Sequence, residues 1–147
     1  MITSVGSVIE APVEDVWRLV SDFTSWESWI PTESKFTMED GFEQAPVGSV
    51  RLVRAAQGPI IREKLLAKDV AHHTMTYAFD GPTSLPVRRY VSTMRLFDIS
   101  GTGSTFIHWS AQMDTDADQE ELADSVISGI YVAFMDALRT HLAGGNG

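Results

Sequence analysis

Ile9-Glu10-Ala11-Pro12-Val13-Glu14-Asp15-Val16-Trp17, continuing through Asp22-Phe23 to Trp26, Trp29 and Pro31, is the stretch that decides the fold. It reads as a strand ending, a helix opened by a proline, and a short aromatic-rich turn. Pro12 suits the first helical position, where a missing N–H costs nothing. Glu14 and Asp15 follow in the first turn, where the helix dipole favours negative charge. Val13, Val16, Trp17 and Val20 keep the i, i+3, i+4, i+7 spacing of one buried face. Ser25 to Ile30 reads as a second short helix, closed by Pro31. Three of the chain's four tryptophans fall inside this stretch.

Working outward, Val5 to Glu10 is a short β-rich run before the helix. From Lys35 the period changes to two, with Phe36 and Met38 on one face. Strands are expected over Ser49 to Ala55, Ile60 to Lys68, around Met75, Tyr77 and Phe79, over Arg88 to Ile99 and over Thr105 to Met113. Asp40-Gly41, Gly58-Pro59, His72-His73, Asp80-Gly81-Pro82 and Gly101-Thr102-Gly103 punctuate them. Gln119 to Leu142 reads as one long helix. Leu122, Val126, Ile130, Phe134, Leu138 and Leu142 recur every four residues, and Ile127, Tyr131 and Met135 widen that stripe. The order is strand, two short helices, about six strands, long helix. Short connections imply antiparallel pairing, and a curved sheet gripping the last helix buries its stripe. The expected fold is α+β, with one domain over 1–143 and a flexible tail over 144–147.

Composition narrows the function. A chain of 147 residues with 44% hydrophobic and 21% charged residues suits one globular domain. No apolar run approaches the roughly 20 residues of a membrane-spanning helix, and the N-terminus shows no secretory signal. The absence of cysteine excludes disulfides and thiolate chemistry, and points weakly to the cytoplasm. A net charge of -9 repels phosphate backbones, so no nucleic-acid partner is expected. A monomer or a homodimer both fit.

Taken in order, Ile9-x-Ala11-Pro12-x-x-x-Val16-Trp17, Asp22-Phe23, Trp29-x-Pro31, Val47-Gly48-Ser49-Val50-Arg51, Glu63-x-Leu65, Tyr90, Trp109 and the long C-terminal helix make a pattern that covers nearly the whole chain. It resembles the SRPBCC superfamily, also called START-like or helix-grip, and within it the bacterial polyketide cyclase/dehydrase-type proteins. The resemblance implies a cavity between sheet and helix. It also implies a hydrophobic ligand such as a lipid or polyketide, and in some members cyclase or dehydratase activity. Val47 to Arg51 and Glu63-Lys64-Leu65 also resemble strands of the distantly related plant abscisic-acid receptors. The receptors' gate sequence is missing here, so a hormone-gated switch is not implied.

Glu63 is the sharpest candidate for chemistry. Ile61, Glu63, Leu65 and Ala67 share the more apolar face of their strand, where a carboxylate must be paired or lose its charge. Arg51, on the preceding antiparallel strand, is its natural partner. The pair is either structural or in contact with a ligand. Tyr90 shares a face with Ser92, Met94 and Leu96, and Tyr77 one with Met75 and Phe79. Either phenol could bond a ligand or act as a weak acid. Trp26, Trp29 and Trp109, like Ile127, Ile130, Tyr131 and Phe134 on the helix, either line a pocket or fill the core. The expected ligand-binding set is Trp29, Arg51, Glu63, Tyr77, Tyr90, Ser92, Trp109, Ile127, Ile130, Tyr131 and Phe134, with Glu63 and Tyr90 as the catalytic candidates.

His72 and His73 are neighbours whose side chains diverge, and no His-x-x-x-His pair exists, so no metal is expected. Asp114-x-Asp116-x-Asp118 lacks the glycine and distal glutamate of a calcium loop and reads as a solvated helix start. Gly101-x-Gly103 is a hairpin turn, not a dinucleotide loop. The expected function is cofactor-free binding of a hydrophobic or amphipathic small molecule. A cyclase- or dehydratase-type enzyme using Glu63 or Tyr90 is the alternative, and a co-chaperone-like interaction module with a collapsed cavity is a third. The cavity mouth is expected near Gly58-Pro59, the Gly81 to Pro86 loop and the start of the long helix.

Overall fold

The computed structural model describes residues 1–41, 45–56 and 58–144. Strand β1 (Ile2–Ile9) leads through Pro12 into helix α1 (Val13–Val20). Pro12 stands just before the helix with φ -60, and Val16, Trp17 and Val20 are buried beneath it. The expected second helix shrinks to a single 3-10 turn, Trp26–Ser28. Six residues cannot repay the cost of nucleating an α-helix. Here the Trp26 indole instead reaches back to donate to the Val20 carbonyl over 3.0 Å, closing the end of α1.

Strands β2 (Ser34–Met38), β3 (Val50–Ala55), β4 (Ile60–Asp69), β5 (Thr74–Phe79), β6 (Arg89–Ile99) and β7 (Ser104–Asp114) follow. They join β1 in one seven-stranded sheet of order β1-β7-β6-β5-β4-β3-β2, every neighbouring pair antiparallel. Helix α2 (Glu120–Ala143), entered through a 3-10 turn at Ala117–Gln119, closes the domain. Thr3 donates to Asp124 over 2.6 Å and Arg139 bonds Ser7, which ties α2 to β1. This is the helix-grip architecture. Among the described residues no helix is long and apolar enough to cross a membrane. Gly144 caps α2, and the rest of the expected flexible tail, 145–147, lies outside the described residues.

Two local readings change. The every-four line on α2 is not the buried face: Ala123, Ile127, Tyr131, Met135 and Leu138 are buried, whereas Leu122 is 51% exposed. At 3.6 residues per turn, a four-residue step overshoots by about 40° each time. The line from Leu122 to Leu142 therefore winds around the helix, and the residues expected to widen the stripe are its centre. On β4, the pairing with β5 shifts between Leu65 and Ala67. That β-bulge turns Ala67 outward and brings Lys68 opposite Met75, so Ala67 leaves the face it was expected to share with Glu63.

Candidate functional site

Sheet alternation brings the site together. Arg51 and Glu63 stand directly opposite in the β3–β4 register, and Arg51 Nε donates to Glu63 Oε1 over 2.8 Å. The Arg51 side chain is 1% exposed and that of Glu63 is 13%. Arg51 Nη1 donates to the Phe23 carbonyl over 3.1 Å. Its guanidinium carbon lies 3.8 Å from the Phe23 ring centre and 4.0 Å from that of Trp26, with Phe36 and Tyr77 slightly farther. A buried cation thus has one carboxylate, one carbonyl and a cage of aromatic faces. The helix-α1 stretch supplies much of that cage. Glu63 keeps its second oxygen, Oε2, free of hydrogen bonds from the described residues.

A second polar cluster lies on β5, β6 and α2. Tyr77 and Ser92 are cross-strand partners, and Tyr90 and Ser92 share the inner face of β6. The Trp109 indole donates to Ser92 Oγ over 2.8 Å. Ser92 Oγ and the Tyr131 hydroxyl are 2.8 Å apart, and the Tyr131 and Tyr90 hydroxyls bond each other. Trp109 and Tyr131 stack at 4.3 Å, and Phe79 stacks on Tyr90 at 4.2 Å. Burial, reinforced by the charge of Glu63, pushes the Tyr77 phenol up to about 12. Burial first, then the neighbouring phenols, pushes Tyr90 and Tyr131 up as well. All three remain protonated donors at neutral pH.

Between the clusters lies a pocket of about 140 Å³. Of the expected binding residues, Arg51, Glu63, Tyr77, Tyr90, Trp109, Ile127, Ile130, Tyr131 and Phe134 line it. Trp29 does not: it packs behind, against Trp26 and Phe134, and its Nε1 is the one buried side-chain polar atom among the described residues without a partner. Ser92 does not line it either, being fully buried beneath Tyr131. The lining also includes Trp26, Ile30, Thr32, Ser34, Phe36, Val53, Ile61, Phe79 and Leu85. Alternation carried the signal for most of these: Val53 shares a face with Arg51, Ile61 with Glu63, and Phe79 with Tyr77. The rim runs past Thr32, Ser34, Ile61 and Leu85, so the Gly81 to Pro86 loop borders it and the Gly58-Pro59 turn does not. The histidines stay outside, His72 on Asp69 and His73 on Glu14. Asp114 and Asp116 pair with Arg89 and Arg88.

A sheet that wraps one long helix around a lined pocket, with charge and phenols at its inner wall, defines a helix-grip protein of the SRPBCC superfamily. The family described as polyketide cyclase / dehydrase and lipid transport matches residues 1–143, and the chain belongs to it. Its members typically bind hydrophobic ligands. A comparison with curated protein sequences finds no match. Among solved structures, an uncharacterised protein of Bacillus thuringiensis is 27% identical, with a TM-score of 0.80 over 95% of this chain and 97% of that one. Norcoclaurine synthase of Thalictrum flavum, solved with dopamine and hydroxybenzaldehyde, is 17% identical, with a TM-score of 0.77 over 98% and 87%. BexL, a di-domain ARO/CYC protein from the BE-7585A biosynthetic pathway, is 15% identical, with a TM-score of 0.80 over 97% of this chain and 46% of that one. The last two likenesses show the fold alone.

Proposed function

We propose that this protein binds a small hydrophobic or amphipathic molecule between its sheet and α2, without a cofactor. The observation that carries this reading is the pocket itself: a mostly aromatic and aliphatic lining interrupted by Arg51, Glu63, three phenols and, toward the rim, Thr32 and Ser34. Binding sites have this composition, with a few placed polar groups fixing orientation in an apolar cleft. Native mass spectrometry of protein purified gently from its own host tests it. The expected spectrum shows a retained small molecule that denaturation releases. Only the apo mass, together with no binding of small apolar probes to the purified protein, would refute it.

A second reading, catalysis on a carbonyl or polyketide-like substrate, draws support from Glu63. Its free oxygen and partial exposure suit a base facing the pocket, with Tyr90 as a neutral donor. The neighbouring structure of norcoclaurine synthase is consistent with aromatic amines and aldehydes entering such a fold, and BexL with ring-forming chemistry on it. In both readings the ligand occupies the same pocket and meets the same polar groups.

A further inference from the structure

The polar groups that line the pocket are spent mostly on the protein itself. The three phenols bond Ser92 and one another, and the Trp109 indole donates to Ser92. The Trp26 indole donates to the Val20 carbonyl. Toward the rim, the hydroxyls of Thr32 and Ser34 bond each other. Arg51 gives Nε to Glu63 Oε1 and Nη1 to the Phe23 carbonyl, and its guanidinium lies against the Phe23 and Trp26 rings. Glu63 stands apart. Its Oε1 accepts from Arg51, and its Oε2 accepts from none of the described residues. An ionised carboxylate is an acceptor only, with lone pairs on both oxygens. The group that the lining leaves open to a ligand is therefore a charged acceptor.

The field in the pocket has the same sign. Glu63 and Arg51 cancel as a pair, but not at every point around it. Glu63 pushes the Tyr77 phenol up more than Arg51 pulls it down, and it reaches the Tyr131 phenol on α2 as well. The pair turns its negative end toward the phenols and keeps its positive end among the Phe23 and Trp26 rings. The aromatic lining adds to this. Phe79 stands opposite Glu63 in the β4–β5 register and stacks on Tyr90 at 4.2 Å. Aromatic faces carry partial negative charge and attract cations. The net charge of -9 draws cations toward the chain from a distance. An anion would be repelled by Glu63 and would gain nothing from the rings. Size narrows the choice further: the pocket's 140 Å³ compares with about 150 Å³ for an apolar cavity that holds one benzene.

We infer that the ligand is a monocation, a protonated amine on an apolar body about one ring in size, with its N–H on Glu63 Oε2 and its charge among the rings beside it. This deepens the binding reading above and rests on it. A charged N–H on a carboxylate makes a hydrogen bond about twice as strong as a neutral one. That gain has to outweigh the cost of taking the ammonium out of water. The 13% exposure of the Glu63 side chain lowers the cost, because water still reaches the pair.

Cyclohexylamine, cyclohexanol and cyclohexanecarboxylate share one ring and carry a cation, a neutral hydroxyl and an anion at neutral pH. NMR titration of the purified protein with each tests the inference. The expected result is that the amine binds about tenfold more tightly than the alcohol, the margin of a charged over a neutral hydrogen bond, and that the carboxylate binds weakest. Intermolecular NOEs should join the bound amine to the Phe79 and Tyr90 rings. Glu63→Gln should remove the amine's advantage, because Arg51 then stands there without its counter-charge, while cyclohexanol still binds and reports an intact pocket. If that variant fails to fold, the native comparison and the NOEs carry the test alone. Equal binding of amine and alcohol to the native protein, or a preference for the carboxylate, would overturn the inference and leave the binding reading standing. Amine contacts confined to surface carboxylates, or an amine preference that survives in folded Glu63→Gln, would also overturn it. Binding of none of the three would overturn the binding reading and this inference with it.

Discussion

Replacing Glu63 by Leu strands the Arg51 guanidinium, and the structure sets the size of the effect. Arg51 is 1% exposed and loses its carboxylate partner at 2.8 Å. It keeps the Phe23 carbonyl at 3.1 Å and the aromatic faces of Phe23 and Trp26. Breaking a buried pair by removing one partner typically costs about 3–5 kcal/mol. The retained carbonyl and rings place this case near the low end, about 3 kcal/mol, or a fall in Tm of roughly 10 °C for a chain of this size. The reciprocal change, Arg51→Met, should cost less, because the Glu63 side chain is 13% exposed and can recruit water. The double variant Arg51→Met/Glu63→Leu replaces the pair by apolar side chains of similar volume. It should fall within about 1 kcal/mol of the native protein, giving a coupling energy of at least about 2 kcal/mol. Urea and thermal unfolding of the four proteins close the cycle. A Glu63→Leu loss below about 1 kcal/mol, or a double variant whose loss is the sum of the singles, would refute this account of the pair.

Two further outcomes follow from the same wall. The chain's three tyrosines are Tyr77, Tyr90 and Tyr131, and all three are raised by burial. The folded protein should therefore show no tyrosinate absorbance near pH 10–11, where the unfolded chain ionises. Stability is fully present below about pH 10 and is lost as pH rises toward 12, by about 1.4 kcal/mol per unit for each phenol that the unfolded chain releases first. Tyrosinate appearing near pH 10 without unfolding would contradict it. Glu63→Gln keeps an acceptor for Arg51 but not its counter-charge, so it should stay folded and lose less stability than Glu63→Leu. If the protein is an enzyme on a carbonyl substrate, that variant should lose turnover by about 100-fold or more, and undiminished turnover would exclude Glu63 as the base.

Much of this was legible in the chain. Pro12 followed by Val16, Trp17 and Val20 marked α1 and its buried face, and period-two alternation placed Arg51 opposite Glu63 and turned Tyr77 and Tyr90 inward. What escaped had physical reasons. The β4 bulge leaves Leu66 and Ala67 both exposed and puts Lys68 in the inner row, which an unbroken period of two does not foresee. The drift of a four-residue repeat around α2 made Leu122 look central. The division between core and pocket was also beyond reach. Alternation assigns Trp26, Trp29 and Trp109 to the interior, but whether space remains beside each depends on how three indoles and Phe134 interlock. Trp26 and Trp109 reach that space, and Trp29 fills the layer behind it.

The polar content of this core is more than the fold requires. Buried ion pairs of this kind can often be replaced by apolar side chains with no loss of stability, and Phe in place of each tyrosine would preserve the aromatic packing. Yet Arg51, Glu63, Ser92, three phenols and an indole N–H occupy the inner faces of β3 to β7 and α2. They stand together because register stacks them in cross-strand rows: Arg51 beside Glu63 beside Phe79, and Leu65 beside Tyr77 beside Ser92. Every charge and hydroxyl in those rows lies on the wall of the pocket or bonds a residue that does. The opposite wall, built from the Trp26 turn and the flank of α2, offers aromatic and aliphatic surface. A molecule with one polar end and one apolar end would satisfy both walls at once, and the packing of the sheet against α2 calls for neither.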